Sequence, residues 1–205
     1  MLAQQVELAR AGMRRRINIY LASKSPRRKD LLENWGFKPT IIEPGEEEDS
    51  YNISIYENVI IKARAKCLNA KIENTFNGII LGGDTAIKSP SGEIIGKPKN
   101  RKDAERILKS LSSGTHEVVS GIWAKKVPGV HPGMGGIDIA LVTFKKIEDE
   151  MLENYLNSGL WKGKAGGYGV QDPQFPFLDK VEGEIETVIG LPKSITLAIL
   201  NALNK

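Results

Sequence analysis

The chain predicts an α/β fold, a mixed twisted sheet with flanking helices, and two observations carry that expectation. The first half alternates short apolar strands with helical stretches, as in residues 17–21 followed by 26–35. The second half holds two longer strand runs, 116–127 and 137–147, joined by a loop rich in Pro and Gly, which suits an antiparallel hairpin. A clean doubly wound pattern is therefore not expected.

In order, residues 17–21 form a buried strand, and Ser25 with Pro26 supply an N-cap and a first-turn proline for a helix over 26–35. Leu31, Leu32 and Trp35 give that helix an apolar face, and Gly36 ends it. A strand over 39–42 leads through the acidic run 46–49 into a helix over 50–70. Asn77-Gly78 turns the chain into the apolar strand 79–81, which runs into Gly82-Gly83-Asp84-Thr85. A short return strand at 93–95 precedes a helix capped by Asn100. The hairpin strands follow, then a helix over 149–157 stopped by Gly159, a glycine-rich segment at 164–171, two more strands and a final helix over 192–202.

At 205 residues and 40% hydrophobic composition the chain can bury a real core, as a single domain over 17–205. Residues 1–16, with Arg14-Arg-Arg16, read as an N-terminal extension, helical or disordered. A net charge of +4 is mild, and aromatic residues are not interleaved with the basic ones, which argues against nucleic acid. One cysteine excludes an internal disulfide and suits a reducing cytoplasm, and two histidines disfavour a histidine-rich metal site. Any metal is expected on oxygen ligands. No stretch approaches the ~20 apolar residues of a membrane span.

The chemistry concentrates in four places. Arg27, Arg28 and Lys29 crowd the first turn of a helix, where the backbone dipole disfavours cations unless an anion is present. Asp84 stands at the end of an apolar strand, where open α/β sheets present their sites, and could bind a cation or activate water. Lys97 is held in a stiff Gly-Lys-Pro backbone. Gly163-Lys-Ala-Gly-Gly-Tyr-Gly169 lets backbone approach a ligand. Two motifs are rejected: Gly92-Glu-Ile-Ile-Gly-Lys97 has three residues between its glycines and lacks the Ser or Thr of a P-loop, and the 163–169 glycines miss the dinucleotide spacing. His116 is expected to cap or pack, and Cys67 to sit in the core.

Leu21-Ala-Ser-Lys-Ser-Pro-Arg-Arg28, Gly83-Asp84-Thr85, Gly96-Lys97-Pro98, Leu111-Ser-Ser-Gly-Thr-His116, Val142-Thr-Phe144, Lys164-Ala-Gly-Gly-Tyr-Gly-Val-Gln171 and Val188-Ile-Gly-Leu-Pro192 resemble, in order, the segments of the Maf family of nucleoside triphosphate pyrophosphatases. The resemblance runs from about residue 17 to the C-terminus. It implies an inosine triphosphatase-like fold with two lobes around a cleft, and hydrolysis of dTTP or UTP to the monophosphate and pyrophosphate with Mg2+ or Mn2+. Modified pyrimidine nucleotides are included among the implied substrates.

The resemblance implies Asp84, Lys97 and Lys66 as catalytic residues and Asp84 with Glu48 as metal ligands. Ser23, Ser25, Arg27, Arg28, Thr85 and Gln171 would bind substrate. Arg28 is the phosphate ligand on this reading, while Arg27, Thr85 and Gln171 set substrate choice. The alternatives are a nucleotide-binding regulator of cell division with little turnover and a 7-methyl-GTP-type pyrophosphatase. Homodimers are common among such relatives. The chain departs from the family pattern at Gly163, where aspartate commonly precedes the lysine, at Gly114, and at Ser120, which replaces a threonine.

Overall fold

A long strand with a gap along one edge organises the molecule. The computed structural model describes residues 17–46, 53–73, 75–172 and 175–205. Residues 1–16, including Arg14 to Arg16, and Glu48 lie outside the described residues.

The strands are β1 (Ile19–Ala22), β2 (Thr40–Ile42), β3 (Gly78–Lys88), β4 (Ile94–Ile95), β5 (Thr115–Val127), β6 (Met134–Phe144) and β7 (Leu178–Glu182). They form one mixed sheet in the order β2-β1-β3-β5-β6-β7, with β4 also paired to β3. β1 runs parallel to β2 and β3, and the other pairings are antiparallel. The helices are α1 (Pro26–Asn34), α2 (Ile55–Leu68), α3 (Arg101–Leu111), α4 (Asp149–Ser158), α5 (Ile185–Ile189) and α6 (Lys193–Leu203). None of the described helices is long and apolar enough to cross a membrane.

Local signals explain most boundaries. α1 begins at Pro26, and Gly36 takes a φ of +87° just beyond it, as the sequence predicts. Asn100 caps α3 by accepting a hydrogen bond of 2.9 Å from the Asp103 amide. α2 starts at Ile55, later than expected, because Ser54 and Glu57 form a reciprocal capping box there. Three expectations change more. β3 does not stop at Leu81 but continues to Lys88, paired along its whole length with β5. β6 begins three residues early, taking Gly135 and Gly136 out of the loop and setting them opposite Trp123 and Ile122. One of the two late strands is the short helix α5, closed by Gly190 at φ +118°.

Side chains alternate across a strand, so β3 and β5 present two distinct faces. On one face Ile79, Leu81, Ile122 and Ala124 join a cluster with α1 and α6. Further along that face Ile87, Val118 and Val142 join a second cluster with α3, α4, Tyr168 and Phe177. Between the two lie Gly83 and Thr85 on β3 and Ser120 on β5, so the expected lobes meet along a row of small and hydroxyl side chains. α2 covers the opposite face at very short range. A Cβ at Gly82 would lie 2.4 Å from the Ala63 carbonyl oxygen, and one at Gly121 would lie 2.9 Å from Val59 backbone.

Candidate active site

β1 ends at Ala22, opposite Gly82, and β4 takes up the same edge of β3 only at Ile87 and Lys88. No described strand pairs with Gly83 to Ala86 on that edge. The gap is the floor of a cleft of about 470 Å³, walled by the β1–α1 turn, the Lys97 segment, the glycine-rich segment and the end of α5. Six cations line it (Lys24, Arg27, Arg28, Lys66, Lys97 and Lys162), against one carboxylate, Asp84, among the described residues. Such a charge balance suits a polyanion.

The turn after β1 is locked from within. Ser25 does not cap α1 with its side chain. Instead Ser23 Oγ accepts from the Ser25 amide at 3.2 Å and from Arg28 Nη1 at 3.0 Å. With both lone pairs engaged, the Ser23 hydroxyl keeps its proton to donate. Arg28 is 8% exposed and reaches inward. Its Nε donates to the Gly190 carbonyl at 2.7 Å and its Nη2 to Thr85 Oγ1 at 3.1 Å, so one guanidinium ties the β1–α1 turn to β3 and to the end of α5. Arg27 points the other way, toward the glycine-rich segment, with Nη2 3.4 Å from the Gly163 carbonyl. Burial holds its guanidinium below the usual range, opposed by Asp172.

Asp84 occupies the α2 side of β3. Lys66, in the last turn of α2, donates to its Oδ1 at 2.6 Å. The glycines at 82 and 121 let α2 come close enough for this contact. Lys97 is held below the ordinary lysine range, first by burial and then by repulsion from Lys66 and Arg28, with Asp84 opposing.

The glycine-rich segment carries a turn of 3-10 helix at Ala165–Gly167, with Gly166 at φ +67°. Gly163 adopts φ +70°, and Lys164 forms its ion pair with Asp172, eight residues on. Lys164 thus has an ionic partner in Asp172 although position 163 is glycine. Gln171 stands exposed at the rim.

His116 packs, as expected, with its ring edge-on to Phe144 and Tyr168 and Nε2 2.7 Å from the Tyr168 hydroxyl. Burial pushes its pKa down to about 4. Because the folded state disfavours the proton, this contribution to stability is complete above pH 6.5 and is lost as pH falls toward 4. Urea unfolding should show about 2.5 kcal/mol of His116-dependent destabilisation between pH 7 and pH 4.5. In His116→Gln that part of the pH dependence should disappear.

The structure therefore gathers Ser23, Ser25, Arg27, Arg28, Lys66, Asp84, Thr85, Lys97 and Gln171 around one cleft. The sequence reading missed Lys24, Lys162, Tyr168 and the Gly190 carbonyl. Lys24, Tyr168 and Gly190 lie inside the segments that carry the family resemblance, which was their signal, whereas Lys162 left none. No group of three or more potential His, Cys, Asp or Glu metal ligands occurs among the described residues.

Residues 18–203 match the family model described as Maf-like protein. A dTTP/UTP pyrophosphatase of Carboxydothermus hydrogenoformans is 35% identical over 86% of this chain and 93% of its own length. One from Alkaliphilus metalliredigens is 37% identical over 85% and 90%, and one from Pyrococcus furiosus 33% over 91% and 96%. A crystal structure of a nucleoside-triphosphatase / dITP/XTP pyrophosphatase from Mycobacterium abscessus covers 91% of this chain and 95% of that one at 16% identity, with a TM-score of 0.41, too distant a likeness to bear on the fold. With nearly the whole described chain inside one family model, and with relatives 33–37% identical over most of its length, this protein belongs to the Maf family.

Proposed function

We propose that the protein hydrolyses dTTP or UTP to the nucleoside monophosphate and pyrophosphate. The observation that carries this reading is the cleft itself: six cations around a single carboxylate, among the described residues, at the open edge of β3, in a chain similar over most of its length to dTTP/UTP pyrophosphatases. In the reaction a water oxygen bonds to the α-phosphorus and the bond from that phosphorus to the bridging oxygen breaks. Pyrophosphate leaves, and the water proton passes to a base. Charge grows on the departing oxygens, so fixed cations stabilise the transition state more than the ground state.

Arg28, Lys66 and Lys97 are positioned to meet that charge, and Ser23 offers its remaining proton to a phosphate oxygen. Asp84 is the candidate base or metal ligand. A carboxylate beside several phosphate oxygens is a donor set that suits a hard divalent cation, so Asp84 would hold Mg2+ or Mn2+ together with the triphosphate. Such a cation neutralises phosphate charge and lowers the pKa of bound water. Gln171, at the rim, carries both an amide donor and a carbonyl acceptor with which to read a pyrimidine edge.

The test is release of pyrophosphate from a panel of nucleoside triphosphates with Mg2+ or Mn2+. dTTP and UTP should be the best substrates. Preference for 7-methyl-GTP, or binding of nucleotide without pyrophosphate release under either metal, overturns the assignment.

A further inference from the structure

A row of hydroxyls leads away from Arg28 into the protein, and its protons can be placed from the geometry. Arg28 Nη2 lies 3.1 Å from Thr85 Oγ1, which lies 2.9 Å from Ser120 Oγ, which lies 2.7 Å from the Thr187 carbonyl oxygen. Thr187 in turn donates its own hydroxyl to Asp138. The two ends are fixed chemically: a guanidinium only donates and a carbonyl only accepts. Ser120 has one proton, and the carbonyl takes it. Thr85 must then donate to Ser120, and the oxygen it turns toward Arg28 is an acceptor. One proton arrangement satisfies every partner.

Ser120 and Thr187 are fully buried, and Ser120 lines no part of the cleft. Burial in such a site strengthens a satisfied chain, because each bond polarises the next. Arg28 is thereby set from deeper along the same face of the sheet: β5 and α5, neither carrying a reacting group in the proposed chemistry, decide which way Thr85 presents its lone pair.

Granting the pyrophosphatase reading, we propose that Ser120 is a positioning residue, which directs the Thr85 hydroxyl so that Arg28 is held ready for the charge that develops on the phosphates. The role is carried through Thr85, so the two side chains should act as one unit.

Kinetics of UTP hydrolysis in Ser120→Ala, Thr85→Val and the double variant test this directly. Ser120→Ala should lower kcat about tenfold while KM stays within about twofold. The double variant should be no slower than Thr85→Val alone, because the second substitution removes a link already broken. A kcat for Ser120→Ala within twofold of the parent, a loss confined to KM, or a double variant whose loss is the product of the two single losses overturns the proposal. If Ser120→Ala does not fold, Ser120→Cys, similar in size but a weak donor and acceptor, takes its place. Should the parent release no pyrophosphate from any nucleotide, the functional assignment fails. The same cycle is then read on thermal melting midpoints, where non-additive losses support the link from Ser120 to Thr85 and additive ones reject it.

Discussion

Replacing Asp84 by Asn should lower pyrophosphate release by about a hundredfold or more while leaving nucleotide affinity undiminished. The substitution keeps the shape of the side chain and removes its charge, so the fold of β3, paired over eleven residues with β5, has no reason to change. Lys66 loses the carboxylate oxygen it meets at 2.6 Å. Six cations then line the cleft with no carboxylate among the described lining residues, and a polyanion should bind at least as tightly in the absence of divalent metal. Steady-state kinetics paired with calorimetric binding of UTP without metal separates these effects. An Asp84→Asn enzyme retaining more than about a tenth of parental kcat would remove Asp84 from the chemistry.

Gly82→Ala should be strongly damaging to the fold, at about 3 kcal/mol or roughly 10 °C in melting midpoint. The backbone there is extended and not strained, so the cost is purely steric. The new methyl would sit 2.4 Å from the Ala63 carbonyl oxygen and 2.8 Å from the Cys67 amide nitrogen, both backbone atoms of α2. Neither can swing aside as a side-chain tip could, and the whole helix must retreat. Lys66 lies between those two contacts, so its ammonium retreats with them and activity should fall beyond what unfolding explains. Gly96→Ala, whose Cβ would meet nothing within 4 Å, should leave the melting midpoint within about 2 °C. Thermal melts of the two variants side by side decide the matter, and a Gly82→Ala midpoint equal to the parent's would show that α2 is free to slide.

How much of this was legible in the sequence depended on how local the cause was. Ser25-Pro26, Gly36 and Asn100 are short-range signals, and each marked its boundary. The continuation of β3 through Gly82 and Gly83 was hidden because two glycines read locally as a stop. What carries the strand onward is pairing with β5, which no window of neighbouring residues contains. α5 was read as a strand because Thr187, Val188 and Ile189 are β-branched, and five residues are too few to display a helical period.

The arginine pair shows the same division within a single site. Their crowding on a first turn was legible as an electrostatic anomaly, and the cleft they line accounts for it. Their different orientations were not legible. Arg28 is fixed by a carbonyl 162 residues away and a hydroxyl 57 residues away, while Arg27 meets backbone at Gly163. Glu48, read as the second metal ligand, lies outside the described residues, so the metal-binding reading rests on Asp84.

The open stretch of β3 also bears on what can add to the edge of the sheet. An unpaired strand edge is a template on which a strand of another chain can add, and proteins guard such edges with shortness, charge or cover. Here the open run spans Gly83 to Ala86, is blocked at either end by β1 and β4, and lies at the bottom of a cleft crowded with lysine and arginine. The same cations proposed to receive a triphosphate would repel and obstruct an incoming β-strand. The edge is open to a small anion and closed to a polypeptide.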